Sequence, residues 1–294
     1  MYLVRYRDTG GPPRVGLLAD GQVSALPGIG TLADLLARPV LEVRAMCADV
    51  PSGGGTRFHQ RSLLAPIDGR TEVWAAGVTY ERSRHARVQE SEDSADIYDK
   101  VYGAARPELF FKSAAWRVSG PGEPVSVRSD SAVDVPEPEL AAVLNFSGDV
   151  LGYTVCNDMS SRSIEGENPL YLPQAKTYLG GCAAGPWIRP AWEVPDPYAL
   201  TIDMTISRDG AAAWSGSAST SGLRRTIAEL AAFLFREDEF PDGVVLSTGT
   251  SLVPDLPFTL RPGDEIRIDI PGVGELVNHV VRGKAALAAA PAPG

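Results

Sequence analysis

The sequence is poor in cysteine and histidine, with three of each among its 294 residues. Cys47, Cys156 and Cys182 are odd in number, lie far apart and form no Cys-x-x-Cys pair. This pattern argues against a disulfide framework and favours a reduced, cytoplasmic setting. The histidines are too scattered along the chain to indicate a zinc site.

Positive charge and long apolar runs are also scarce. Lysine and arginine number 27 against 37 aspartates and glutamates, which gives a net charge of −10. This balance argues against nucleic acid or an anionic membrane as the main partner, so an anionic substrate needs local help from a metal ion, a lysine or an arginine. No apolar run approaches the length of a membrane span, and residues 1–6 read as a strand rather than as a signal peptide.

Several common catalytic motifs are missing. The sequence contains no Walker loop and no Gly-x-Ser-x-Gly elbow. Gly28-Ile-Gly30 has neither a strand before it nor a third glycine, so it is weak support for a dinucleotide site. Nothing in these patterns indicates nucleotide-dependent or serine-hydrolase chemistry.

The residues that are present predict a globular chain with a small leading module. Hydrophobic residues make up 44% and charged residues 22% of the sequence, as is ordinary for a globular protein. Two strands, over residues 3–6 and 14–18, and a short helix capped by Thr31 precede a glycine-rich stretch at residues 51–55. We place a boundary between that stretch and Pro66, which predicts an N-terminal domain of residues 1–66 and a second domain of residues 67–294.

The second domain alternates in the manner of strands more often than of helices. Apolar residues spaced at i, i+4, i+7 and i+8 from Leu223 to Leu234 predict one amphipathic helix of about 14 residues. We predict a polar loop over residues 165–173 and a frayed end after Lys284. Many strands with few helices predict an α+β, β-rich fold with a mixed sheet, and not a doubly wound βαβ fold.

Three carboxylates are predicted to converge at one end of a β-hairpin. Glu137 and Glu139 are two residues apart, so their side chains point to the same face of an extended strand. A two-residue loop at Ser147-Gly148 would place Asp158 opposite Glu137, with Cβ atoms roughly 5 Å apart. Such a cluster suits a hard divalent cation, and a solvated acidic edge blocked by the neighbouring prolines explains the spacing equally well.

Other polar residues are weaker candidates on sequence alone. Lys176 can anchor a substrate carboxylate or carry protons, and Arg162 can steady the acidic cluster or bind substrate. Glu108 is either a general acid/base or a strand-edge charge, and the sequence favours the latter. Ser247-Thr-Gly-Thr250 offers hydroxyl and N–H groups to a carboxylate, but it also reads as an ordinary turn.

These motifs together resemble the fumarylacetoacetate hydrolase superfamily, from about residue 70 to residue 281. The matching segments are Gly77-Val-Thr-Tyr80, Pro107-Glu-Leu-Phe-Phe-Lys112, Glu137-Pro-Glu139, Gly152-Tyr-Thr-Val-Cys-Asn-Asp-Met-Ser-Ser-Arg162, Lys176, Gly185-Pro-Trp187 and Ser247-Thr-Gly-Thr250. The resemblance implies a β-roll-like catalytic domain behind a small N-terminal α/β domain, in a homodimer or homotetramer. It also implies Mg²⁺, with Mn²⁺ or Ca²⁺ as substitutes, held by Glu137, Glu139 and Asp158 and chelating a 2-oxo acid.

Two positions separate the chain from the hydrolytic members of that superfamily. Those members carry a His-x-x-Glu dyad after the Gly-x-x-Tyr segment, where this chain has Ser83 and Ala86. The segments around Glu108 and at residues 164–176 instead resemble the 2-keto-3-deoxy-pentonate dehydratases, which act on 2-keto-3-deoxy-arabinonate or -xylonate. Ser163 is a departure, because an Asp is usual there, and we expect it to alter the surroundings of the metal ligands and to lower activity.

The dehydratase resemblance implies Lys176 and Glu108 as acid and base, in either order. It implies substrate contacts from Ser83, Arg84, Lys112, Arg162 and Thr250. The implied reaction, a step of pentose catabolism, removes a C3 proton and the C4 hydroxyl of the 2-oxo sugar acid and ends in 2,5-dioxopentanoate. The alternatives are an acylpyruvate- or fumarylacetoacetate-type C–C hydrolase, a 2-oxo acid decarboxylase and a non-catalytic sugar-acid sensor. We also expect the charged segment 80–105 to close over the bound substrate.

Overall fold

The computed structural model describes residues 1–8, 11–51, 55–59, 63–81 and 100–290. Ser83, Arg84, Ala86 and most of the segment predicted to close over the substrate lie outside these residues. The strands are β1 (Tyr2–Arg7), β2 (Pro13–Ala19), β3 (Gln22–Ala25), β4 (Thr56–Arg57), β5 (Glu72–Gly77), β6 (Glu108–Ala114), β7 (Val118–Ser119), β8 (Pro124–Val127), β9 (Asp134–Val135), β10 (Pro138–Leu144), β11 (Val150–Asp158), β12 (Ser160–Ser161), β13 (Cys182–Pro190), β14 (Thr201–Arg208), β15 (Ala211–Ser219), β16 (Val244–Ser247), β17 (Glu265–Ile270) and β18 (Gly274–Arg282). The helices are α1 (Leu32–Leu36), α2 (Val40–Ala48), α3 (Arg162–Glu167), α4 (Leu172–Lys176), α5 (Ile227–Leu234) and α6 (Gly283–Ala289).

Two sheets carry the fold. The larger, 11-stranded sheet has the order β4-β3-β2-β1-β13-β11-β10-β16-β5-β6, and β7 pairs beside β13. The smaller sheet has the order β15-β14-β17-β18-β8, and β9 pairs with β12 on its own. Most neighbours are antiparallel, but β16 runs parallel to β5 and β18 parallel to β8. This mixed, strand-rich architecture confirms the predicted fold class.

The N-terminal strands extend the larger sheet. Strand β1 pairs antiparallel with β13, with Leu3 opposite Ile188. Helix α1 begins where predicted, because the Thr31 side chain accepts the Asp34 N–H and completes a capping box. Leu3, Ile188 and the buried face of α1 share one apolar cluster. The division at residue 66 stays a prediction.

The central strand β10 is buried on both faces. Leu140, Ala142 and Leu144 pack in the cluster that includes apolar residues of the five-stranded sheet. Ala141 and Val143 point the other way, into the cluster shared with the N-terminal strands and α1. Burial on both sides explains the continuous apolar run of this strand. It also anchors the polar residues that precede it in a rigid frame.

Three predicted segments differ from the structure. The predicted loop at residues 165–173 is largely helical, because Ser161 caps α3 and the two prolines of the segment occupy first-turn positions that helices tolerate. The predicted helix from Leu223 is shorter and forms only α5, since Thr226 caps it by accepting the Glu229 N–H. The segment after Lys284 is not frayed at once but stays helical in alanine-rich α6. Among the described residues, no helix is long and apolar enough to cross a membrane.

Candidate active site

The hairpin of β10 and β11 has the predicted register where the carboxylates lie. Glu139 pairs with Cys156, and the Asp158 N–H donates to the Glu137 carbonyl at 2.9 Å. Asp158 therefore sits opposite Glu137, as the spacing predicts. The register confirms that one end of this hairpin carries all three side chains on one face.

The loop that joins the two strands is not the predicted one. The Asn145 N–H donates to the Asp149 carbonyl, so residues 146–148 form a three-residue loop. Leu144 pairs with Val150, and a bulge before Leu144 then shifts the register. The shift restores the pairing that a two-residue loop would have set, because one extra residue on β11 compensates for the longer loop.

The three carboxylates form a buried cluster. One oxygen each of Glu137, Glu139 and Asp158 lies within 4.8 Å of the others. The residues are only 3%, 1% and 1% exposed, which contradicts the solvated-edge interpretation. Buried carboxylates require compensation by cations and hydrogen bonds. An all-oxygen donor set of this kind fits a hard divalent cation such as Mg²⁺.

Two cationic side chains compensate Glu137 from opposite sides. The Lys176 ammonium lies 2.6 Å from Glu137 Oε2, 3.1 Å from Asp158 Oδ2 and 2.6 Å from Ser160 Oγ. Arg162 Nη2 lies 2.8 Å from Glu137 Oε1. Helices α3 and α4, which each overlap the predicted loop of residues 165–173 in part, place these two cations. The structure thus brings together Lys176, Arg162 and the carboxylates proposed from sequence.

Lys112 compensates the negative charge of Asp158 through the other carboxylate oxygen. Its Nζ lies 2.5 Å from Asp158 Oδ1 and donates to the carbonyls of Met159 and Lys176 at 2.9 and 2.5 Å. The two carbonyls accept hydrogen bonds from the ammonium, and Asp158 balances its charge as an ion pair. Lys112 lies outside the wall of the cavity as the described residues define it. Its predicted substrate contact stays a prediction.

The Ser247–Thr250 segment does cradle a carboxylate, and that carboxylate belongs to Glu139. Ser247 Oγ and the Gly249 N–H donate to Glu139 Oε2 at 2.5 and 2.7 Å. Burial first, and then the charge of Asp158, raises the pKa of Glu139 well above its usual range. Gly249 has a φ of +92°, and a Cβ there would lie 2.0 Å from Thr79 Oγ1, so the close approach requires glycine.

Glu108 lines the same cavity as these carboxylates. It pairs with Gly77 on the neighbouring strand β5, and its carboxylate folds over that glycine. A Cβ at position 77 would lie 2.1 Å from Glu108 Oε2, so a side chain there would displace the carboxylate. Glu108 thus lies on the cavity wall, and its role as acid or base stays a prediction.

The carboxylates open into a small cavity of about 20 Å³. This volume suits one water-sized group. Glu108, Arg162, Lys176 and Thr250 line the cavity, as expected of site residues. The Thr250 hydroxyl donates to the Pro138 carbonyl at 2.9 Å, so its predicted substrate contact also stays a prediction.

Sequence reasoning missed three residues of this site. Glu165 lines the cavity and is 3% exposed, but it lay in a segment predicted as a loop. Ser160 contacts Lys176 and was present in a matched motif without a role. Val78 lines the cavity with a φ of +52°, an unusual conformation for a β-branched residue. No pattern in the sequence indicates that conformation.

The family model for the fumarylacetoacetate (FAA) hydrolase C-terminal region matches residues 72–281, which contain every site residue described above. The chain belongs to the fumarylacetoacetate hydrolase family. Within this family it is similar to a probable 2-keto-3-deoxyxylonate dehydratase of Haloferax volcanii, at 44% identity over 89% of this chain and 90% of that protein. It is 45% identical to a 2-dehydro-3-deoxy-D-arabinonate dehydratase of Saccharolobus solfataricus, over 74% of each chain.

A solved structure extends the comparison to the fold. A 2-keto-3-deoxy-D-arabinonate dehydratase complexed with magnesium and 2,5-dioxopentanoate superposes with a TM-score of 0.82. It is 35% identical and covers 97% of this chain and 100% of its own. The similarity confirms the fumarylacetoacetate hydrolase-like fold that the motifs imply.

Proposed function

We propose that the chain is a Mg²⁺-dependent dehydratase that converts a 2-keto-3-deoxy-pentonate, of the D-arabinonate or D-xylonate type, to 2,5-dioxopentanoate in pentose catabolism. The observation that carries the proposal is one cavity that combines a buried carboxylate triad with Lys176 and Glu108. The names of two relatives support the reaction, and the similar structure with magnesium and 2,5-dioxopentanoate supports the cofactor and the product.

In this proposal Glu137, Glu139 and Asp158 hold the metal ion. When bound, Mg²⁺ supplies Lewis-acid polarisation of the substrate carboxylate and 2-oxo group, which acidifies the protons on C3. Arg162 orients Glu137 through the contact at 2.8 Å. The Ser247 hydroxyl and the Gly249 N–H orient Glu139 in the same way.

Lys176 and Glu108 carry the proton transfers. One of them removes a proton from C3, and the other protonates the C4 hydroxyl, so that the C4–O bond breaks and one water molecule leaves. The resulting double bond between C3 and C4 then tautomerises, with C5 becoming the aldehyde of 2,5-dioxopentanoate. Both residues line the same cavity as the carboxylates, which supports their action on one substrate.

A substrate panel tests the proposal. The protein is supplied with Mg²⁺ and with 2-keto-3-deoxy sugar acids or acylpyruvates, and the products are followed by carbon-13 NMR. Dehydration keeps all the carbons of the substrate in one product. Pyruvate plus a carboxylic acid from an acylpyruvate, with no turnover of the pentonates, would show a C–C hydrolase instead. Release of CO₂ would show a decarboxylase.

The role of Lys176 has its own test. Lys176→Met should lower kcat by about 10²–10⁴-fold, the usual loss on removing a positioned acid or base. The matched control is Lys284→Met, because Lys284 is exposed on α6, and it should keep wild-type kinetics. A Lys176→Met protein that folds and turns over at the wild-type rate would remove Lys176 from the mechanism.

We further propose a homodimer or homotetramer located in the cytoplasm. Leu170, Leu41 and Trp116 are 83%, 79% and 76% exposed, and each is available for a contact between subunits. The buried free thiols of all three cysteines support a reducing compartment. Light scattering measures the oligomer, and a monomer mass at micromolar concentration would contradict that part.

A further inference from the structure

The three acceptors of the Lys176 ammonium are not equivalent. Two of them are carboxylate oxygens, Glu137 Oε2 and Asp158 Oδ2, of proposed metal ligands. The third is Ser160 Oγ at 2.6 Å. Among the described residues, Ser160 is thus the hydrogen-bond acceptor of this ammonium that is not a proposed metal ligand.

The Ser160 hydroxyl is already oriented to accept the hydrogen bond from the Lys176 ammonium. It donates its own hydrogen to the Asp158 carbonyl at 3.0 Å. A serine hydroxyl has one hydrogen and two lone pairs, so this donation leaves lone pairs for the ammonium. Ser160 is 0% exposed and is held in β12, opposite Val135 of β9. Solvent therefore does not compete for the hydroxyl.

The other end of Lys176 is fixed independently. Lys112 Nζ donates to the Lys176 carbonyl at 2.5 Å, which ties down the end of α4. The Phe110 ring centroid lies 5.8 Å from Lys176 Nζ and limits the space beside the ammonium. A lysine side chain is a flexible four-carbon stem, so an anchored backbone alone leaves the ammonium free to move. Ser160 supplies the anchor at the far end.

We propose that Ser160 is a positioning residue that aims the Lys176 ammonium for proton transfer. The proposal rests on the proposed dehydratase function of this cavity. Ser160 is not among the described residues that line the cavity, so we assign its effect to Lys176. Its loss therefore affects the chemical step rather than the binding of substrate or metal.

The test compares Ser160→Ala with two other variants. Ser160→Ala should lower kcat by about 10–100-fold, the usual cost of losing a residue that orients a reacting group, while KM and the calorimetric Mg²⁺ affinity stay at wild-type values. Ser160→Thr retains the hydroxyl and should recover most of the rate. Ser126→Ala is the matched control, because Ser126 is also a buried serine, 1% exposed, that donates to a backbone carbonyl on the five-stranded sheet. It should keep wild-type kinetics.

Two kinetic results would overturn the positioning role. One is an unchanged kcat in Ser160→Ala. The other is a parallel loss of kcat and Mg²⁺ affinity, which would show that Ser160 serves the metal ligand Asp158 and not Lys176. A crystal structure of Ser160→Ala with Lys176 Nζ unmoved would also overturn it, whatever the kinetics.

Failure of the proposed function gives a different pattern. In that case the wild-type protein dehydrates no 2-keto-3-deoxy sugar acid. Exchange of the C3 protons of 2-oxobutanoate in heavy water, followed by proton NMR with Mg²⁺, still reports proton transfer on a 2-oxo acid. Slower exchange in Ser160→Ala than in the wild-type protein would support the positioning role even though the dehydratase assignment is wrong. Equal exchange in the two proteins would contradict the positioning role.

Discussion

Replacing Gly77 with alanine should push Glu108 out of its place in the cavity. A Cβ on Gly77 would lie 2.1 Å from Glu108 Oε2 and 2.6 Å from its Cδ, whereas real Cβ contacts under 3.0 Å are essentially never seen. The carboxylate must therefore retreat by about 1 Å, and a misplacement of that size typically costs about 10²-fold in rate. We expect kcat of Gly77→Ala to fall by that factor.

The backbone should accept the change, because the φ of Gly77 is not in the left-handed region. Alanine in place of glycine at such a position typically stabilises a protein by about 0.4–1 kcal/mol through the unfolded state. Urea unfolding should therefore show no loss of stability. Calorimetric Mg²⁺ affinity should also stay unchanged, since Gly77 touches none of the three proposed ligands among its nearest contacts.

The assay is steady-state dehydration at saturating Mg²⁺, with Gly11→Ala as the control. Gly11 lies in the N-terminal region, and the nearest atom to a Cβ there would be the Asp8 carbonyl oxygen at 3.5 Å, an ordinary van der Waals contact. A folded Gly77→Ala protein with wild-type kcat would refute the assignment of Glu108 as acid or base. A joint loss of kcat and Mg²⁺ affinity would instead show a general collapse of the site.

Two further predictions concern buried carboxylates. Glu137→Gln should keep the fold but lower the Mg²⁺ affinity by at least about 10–100-fold, the usual cost of losing a residue that only supports a metal ligand. Calorimetric titration checks this, with Glu42→Gln at an exposed position as the control. An unchanged affinity would remove Glu137 as a ligand. Burial raises the pKa of Asp134, so the folded state binds its proton more tightly than the unfolded state and stability falls as pH rises through the folded pKa. Asp134→Asn should therefore raise the urea midpoint near neutral pH and lose this advantage in acid below that pKa; an equal gain at both pH values would contradict the argument.

Short-range features of this protein could be read from the sequence. The two-residue period of a strand put Glu137 and Glu139 on one face, and the hairpin register brought Asp158 to them. Capping chemistry at Thr31 located α1 to the residue. These features depend on backbone geometry and on neighbours within a few residues, which is why local patterns predict them. The predicted length of the connecting loop was wrong, but a bulge in the hairpin preserved the predicted register at the carboxylates.

Only the tertiary structure decided which distant groups meet the carboxylates. Lys112 comes from β6 and Lys176 from α4, and packing between elements that are far apart along the chain brings both to Asp158. The placement of Glu108 over Gly77 and the cradling of Glu139 by the Ser247–Thr250 segment arise in the same way. Such contacts depend on how whole strands pack across two cores, and no local period of the chain encodes that arrangement.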